Sequence, residues 1–148
     1  MLEVCPVRVL DDNYAWILGP PRGSLAVVVD PGQAAPVAAA LARRSQRLAA
    51  ILLTHHHSDH VGGVLELVAD TAAPVYGPRR DAIPTVDHPV GDGDRIEIPE
   101  AELALERAGA ARLAAPARGR PQAHRSPPPG TLDATLAPRR GPGRLVIC

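Results

Sequence analysis

The apolar run Ala49-Ala50-Ile51-Leu52-Leu53 leads without a break into Thr54-His55-His56-His57-Ser58-Asp59-His60-Val61-Gly62-Gly63. A short unbroken apolar run is what a strand buried on both faces requires. The polar segment that follows must therefore emerge at the end of that strand, at the rim of a layered fold. Imidazole nitrogens and a carboxylate suit zinc and other borderline divalent metals. His55 and His57, two residues apart in an extended loop, can converge on one ion, and Asp59 and His60 can reach a second from the start of the next helix. The plainer reading is a solvated polar loop rich in histidine. An expression tag is excluded, because the histidines are internal and interrupted.

The flanking segments predict alternating strands and helices. Val4 to Leu10 alternates partly and predicts a strand, Asp11-Asp12-Asn13 a turn, and Tyr14 to Leu18 a second strand in which Trp16 is a core residue. Leu25 to Val29 is a β-branched run that predicts another strand buried on both faces. Asp30-Pro31-Gly32 breaks it. Asp30 is most simply a turn former; the alternative is that it supports a ligand histidine from behind. Ala34 to Arg44 predicts a helix, with Pro36 in its first turn and two arginines at its negative end. Ala50 to Leu53, Pro74 to Tyr76 and Arg95 to Ile98 predict strands, Val61 to Ala69 a helix, and His88 lies in a loop. Strands alternating with helices indicate an α/β layered domain, and no internal repeat is visible.

The formal net charge of zero conceals two unlike parts. Residues 1–106 carry 8 Arg against 15 acids, a net of −7, and residues 107–148 carry 8 Arg against Asp133 alone, a net of +7. The chain has no Lys and no Phe, and its last third is dominated by Arg, Ala, Pro and Gly. Such a segment buries too little apolar surface to offset its ordering entropy, so the expectation is a domain over 1–106 and a mostly disordered tail over 107–148. GC-rich codons read out of frame yield this same composition, which suggests a frame disruption near codon 107. It would be corrected near the end, where Gly143 to Cys148 again reads as a strand. A basic tail suggests nucleic acid, but no aromatic residue interleaves with these arginines to stack on bases. Cys5 and Cys148 make no disulfide framework; Cys5 reads as a small core residue and Cys148 as inert. No basic leader and no run of about 20 apolar residues is present, so the expected location is the cytoplasm.

Thr-His-His-His-Ser-Asp-His-Val-Gly-Gly resembles the signature of the metallo-β-lactamase-fold hydrolases, and its wording resembles their glyoxalase II branch, the hydroxyacylglutathione hydrolases. Asp12-Asn13-Tyr14-Ala15-Trp16-Ile17-Leu18, Val27-Val28-Val29-Asp30-Pro31-Gly32 and Pro89-Val90-Gly91-Asp92-Gly93-Asp94 resemble further segments of that branch. The likeness runs from about Val4 to Glu106. It implies an α/β fold, the N-terminal half of an αββα sandwich. It assigns His55 and His57 to a first metal and Asp59 and His60 to a second, with zinc expected and iron or manganese also suited to these ligands. His56 is then no ligand but packs or hydrogen-bonds beneath the loop. Two metals would activate a water for attack on the thioester of an S-(2-hydroxyacyl)glutathione, and no catalytic side chain is implied beyond the ligands. Pro129-Gly130-Thr131-Leu132-Asp133-Ala134 looks like a damaged Pro-Gly-His-Thr-Leu-Asp-His segment, lacking the histidine that would be a further ligand. The remaining ligands and the glutathione-binding helices have no counterpart here, so the chain by itself is expected to be nearly inactive. The rival readings are another hydrolase of the same fold and a non-catalytic metal-binding half-domain that self-associates through an exposed sheet face.

Overall fold

The computed structural model describes residues 3–21, 24–101, 103–107 and 144–147. Among these described residues nine strands form two sheets. In the first, β1 (Glu3–Val9), β2 (Asn13–Gly19), β3 (Leu25–Val29), β4 (Arg47–Leu52), β5 (Val75–Pro78) and β6 (His88–Val90) lie side by side in chain order. β1 to β3 are antiparallel, and β3 to β6 are parallel. The parallel steps require crossovers, which are made by α1 (Ala34–Arg43), by the pair α2 (Ser58–Val61) and α3 (Val64–Thr71), and, between β5 and β6, by the short 3-10 turn Arg79–Asp81 and the loop after it. The second sheet has the order β7 (Arg95–Ile98), β8 (Leu103–Arg107), β9 (Arg144–Ile147).

The central strands explain why the sheet has cover on both faces. Ala26 and Val28 of β3 join Ile51 of β4 on the helical side, against Val37 and Leu41 of α1 and Val64 and Leu67 of α3. Val27 and Val29 point the other way and, with Leu18, Ala50 and Leu52, meet Ile96 and Ile98 of β7 and Ala101. Helices, sheet and second sheet are thus stacked as three successive layers, the arrangement expected of an N-terminal part of an αββα sandwich. The sheet face expected to be exposed is covered at its centre, where Leu18, Val27 and Val29 are fully buried. Trp16 is partly buried at the edge of this second core.

Leu25–Val29 forms the strand expected of it, and the helix from Ala34 ends one residue early at Arg43. β4 begins at Arg47, three residues before the strand expected from Ala50, and ends at Leu52, one residue early. The single helix expected over Val61 to Ala69 is two, parted at Gly62-Gly63, because the Gly63 N–H bonds Pro31 O at 2.8 Å. His88 lies in strand β6, stacked on Tyr76 with ring centres 4.7 Å apart. β8 runs one residue past the expected boundary at 106, and the terminal strand is present as β9, parallel to β8. Residues 108–143 and Cys148, on which the readings of disorder, of the damaged ligand segment and of inert Cys148 fall, lie outside the described residues. Among the described residues no helix is long and apolar enough to cross a membrane.

Candidate metal centre

The centre is built where β3 and β4 end together. Asp30, the residue after β3, takes a left-handed backbone (φ 50°) and donates its N–H to Leu52 O at 3.0 Å. Asp is among the few residues besides glycine that visit this region, and here the bonds its carboxylate makes to Thr54 and His60 hold it there. The turn sends the carboxylate inward, where only 2% of the residue is exposed. Asp30 Oδ1 accepts the Thr54 N–H at 2.8 Å, and Oδ2 accepts the Thr54 hydroxyl. Oδ2 also lies 2.9 Å from His60 Nδ1.

These bonds determine where two imidazoles carry their protons. An ionised carboxylate can only accept, so His60 Nδ1 must be the donor, and its Nε2 faces the centre. Thr54 has one hydroxyl proton and gives it to Asp30. The Thr54 oxygen, 2.8 Å from His55 Nδ1, must then accept from His55. Asp30 thus fixes both rings as Nδ1–H, one directly and one through Thr54, and leaves both Nε2 atoms available. Of the two alternatives for Asp30, the structure shows it behind a histidine, His60, and Thr54 stands in the same way behind His55, a role the sequence reading did not single out.

His57, His55, His60 and Asp59 are linked pairwise in that order, and among the described residues the donor atoms that meet within 4.8 Å of one another are those of His55, His60 and Asp30. The ring centres of His55 and His57 are 4.6 Å apart and those of His55 and His60 4.0 Å apart. Asp59 Oδ2 lies 3.4 Å from His60 Nε2. Asp30 also has a carboxylate oxygen within 4.8 Å of nitrogens of His55 and His60, but its oxygens are engaged behind the rings, so its place is as their support. Burial, then the charge of His60, pushes the His55 pKa below its ordinary value. The hydrogen bond to Asp30 raises that of His60. A divalent metal fits this donor set: two imidazoles whose Nε2 atoms are left open by fixed tautomers, a third imidazole within ring contact, and a carboxylate half-exposed beside them.

Backbone packing sets the loop. A Cβ on Gly32 would lie 1.9 Å from Asp59 O, one on Gly62 2.7 Å from Gly32 O, and one on Gly63 2.6 Å from Pro31 O. The turn after β3 and the ligand loop therefore touch main chain to main chain, which only glycine allows. His56 turns away. Its N–H and its Nδ1 both lie 3.1 Å from Asp81 Oδ2, in keeping with a residue that anchors the loop. Asn13 reaches Asp59 from β2, 46 residues away. Neither Asn13 nor Asp81 was marked by spacing in the sequence. Asn13 stood only as a turn residue and in the resemblance of Asp12-Asn13-Tyr14.

Comparison with known proteins gives the family. The chain is 45% identical over 103 residues to the hydroxyacylglutathione hydrolase of Nitrosomonas eutropha, covering 70% of this chain and 40% of that protein. It is 48% identical over 99 residues to that of Vibrio cholerae serotype O1 (strain O395), covering 66% of this chain and 39% of that one. The chain thus spans about two fifths of the length of the curated relatives it matches. Among solved structures, TTHA1623 in a di-iron-bound form is similar with a TM-score of 0.53 and 25% identity, over 70% of this chain and 71% of that one. Residues 9–145 match the family model of the metallo-beta-lactamase superfamily, and the chain belongs to that superfamily.

Proposed function

We propose that this chain carries metal-binding machinery of a hydroxyacylglutathione hydrolase, whose substrate is the small-molecule thioester S-(2-hydroxyacyl)glutathione and whose products are glutathione and a 2-hydroxy acid. The observation that carries the reading is the run of contacts from His57 to His55, His60 and Asp59 along a rim where Asp30 leaves two Nε2 atoms open. Relatives that bear this name at 45% and 48% identity support the substrate class. His55 and His57 would hold one ion and Asp59 and His60 a second. Zinc is the expected ion; iron and manganese suit the same ligands, and the similar TTHA1623 structure is a di-iron form. Metal bound there would polarise the thioester carbonyl and lower the pKa of water towards about 7. The chain's own residues fix the tautomers of the imidazoles and aim them, through Asp30 and Thr54, and fix the loop through Gly32, Gly62 and Gly63. A cytoplasmic location belongs to the same reading, and the free thiol of Cys5 is compatible with a reducing compartment.

Two ligands per ion is half of what a zinc site takes. The 148-residue chain tested alone should therefore hold zinc weakly and turn over little substrate. The test is zinc retention and S-lactoylglutathione hydrolysis by the chain beside a His55→Ala control. The expected result is more zinc on the unaltered chain and a hydrolysis rate indistinguishable from the control. Equal zinc on both overturns the metal centre. Hydrolysis well above the control overturns the low activity of the chain alone.

A further inference from the structure

We propose that Asn13 is the positioning residue for Asp59, holding its carboxylate on the face of the centre where a metal would be taken. This rests on the reading of Asp59 as a ligand. Asn13 opens β2. Its Oδ1 accepts the Tyr14 N–H at 2.9 Å, which decides which end of the amide is oxygen. The NH2 end then points at Asp59, 3.0 Å from its carbonyl oxygen and 3.1 Å from Oδ2.

Both contacts answer a need created by the fold. In a longer helix, Asp59 O would accept from the N–H four residues on. That residue is Gly63, whose N–H is bonded to Pro31 O. Asn13 takes the carbonyl that the helix break leaves over. On the other side, Gly32 packs so closely that a Cβ there would lie 1.9 Å from the same oxygen. The Asp59 main chain is thus gripped between β2 and the turn after β3. The Asp59 side chain is 50% exposed, with no core packing to select its rotamer. An exposed carboxylate with free rotamers loses conformational entropy when a metal orders it. The Asn13 amide removes much of that loss in advance by holding Oδ2, 3.4 Å from His60 Nε2. Oδ1 and the second lone pair of Oδ2 remain open.

The test is cobalt(II) titration of the full 148-residue chain, read by visible absorption and by competition with a chelator. The variants are Asn13→Leu, which keeps the volume and removes the donor, Asn13→Ala, and Asp59→Ala as comparator. Thermal melts report the fold. Asn13→Leu or Asn13→Ala should melt cooperatively, bind cobalt about 10–100-fold more weakly, and shift the visible band in the direction Asp59→Ala shifts it. Unchanged affinity and spectrum in a folded Asn13 variant, with Asp59→Ala weakened, overturns the role of Asn13 alone. Wild-type affinity in Asp59→Ala, or no cobalt bound by the unaltered chain, overturns the ligand reading and this assignment with it. Loss of the melt in both Asn13 variants overturns it too, by making Asn13 a residue of the fold.

Discussion

Asp30→Asn is the sharpest probe of the centre, because it changes protons and almost nothing else. Asn has the same shape and is at home at φ 50°. Suppose the amide nitrogen takes the place of Oδ2. It then donates to the Thr54 oxygen and faces His60 Nδ1, so Nδ1 of His60 must become an acceptor and its proton must move to Nε2. The Thr54 hydroxyl, released, turns towards His55 Nδ1 and reverses that ring as well. The other orientation of the amide sets NH2 against the Thr54 N–H and leaves both unsatisfied. Hydrogen bonds to a charged group contribute about 1.5–3 kcal/mol and neutral ones about 0.5–1.5. Losing the charge from the three accepted bonds therefore costs about 3–4 kcal/mol. Part of this is offset because a 2%-exposed carboxylate no longer has to be desolvated, so a net loss of about 1–2 kcal/mol is expected. Metal affinity has no such offset and should fall about 10–100-fold. The assay is nitrogen-15 NMR of the imidazoles in the metal-free protein, paired with a zinc titration. A variant that keeps Nδ1–H on His55 and His60 and binds zinc as the unaltered chain does would refute the reasoning.

Gly32→Ala places a Cβ 1.9 Å from Asp59 O; because backbone must move, it should cost about 1–3 kcal/mol in a denaturant melt and weaken metal binding by calorimetry. His56→Ala should leave zinc affinity within about twofold, since second-sphere losses that matter begin near 10-fold. A drop as large as that of His57→Ala would make His56 a ligand. Ala72 closes α3 in the left-handed region (φ 54°), so Ala72→Gly should raise stability by about 0.5–1 kcal/mol, read as a higher melting midpoint.

What was legible in the sequence was whatever neighbouring residues decide together. Leu25–Val29 shows its burial on both faces by being apolar at every position, and the ligand loop shows itself by donor type and spacing. Asp30 was legible only as two alternatives, since its partners His60 and Thr54 lie 30 and 24 residues away. The division of α2 from α3 was hidden because Val61, Val64, Leu65 and Val68 keep helical spacing across the break. The deciding bond, from Gly63 to Pro31, comes from another element. β6 has Pro89 at its centre, which argues against a strand unless it lies at a sheet edge, as β6 does. Leu103–Arg107 is made of good helix formers, and pairing with β7 and β9 overrides them.

The four candidate ligands occupy six consecutive positions, and this has a consequence for the order of assembly. Bringing them together closes almost no loop, so the entropy of gathering the donors is small. The parts that aim them come from the ends of β2 and β3, joined only when the antiparallel and parallel pairings of the sheet are complete. On the proposed reading, a nascent chain would meet metal through the loop before the sheet is in place to aim the donors, and a substitution in β2 or in the turn after β3 would change how tightly an ion is held without touching the proposed ligands.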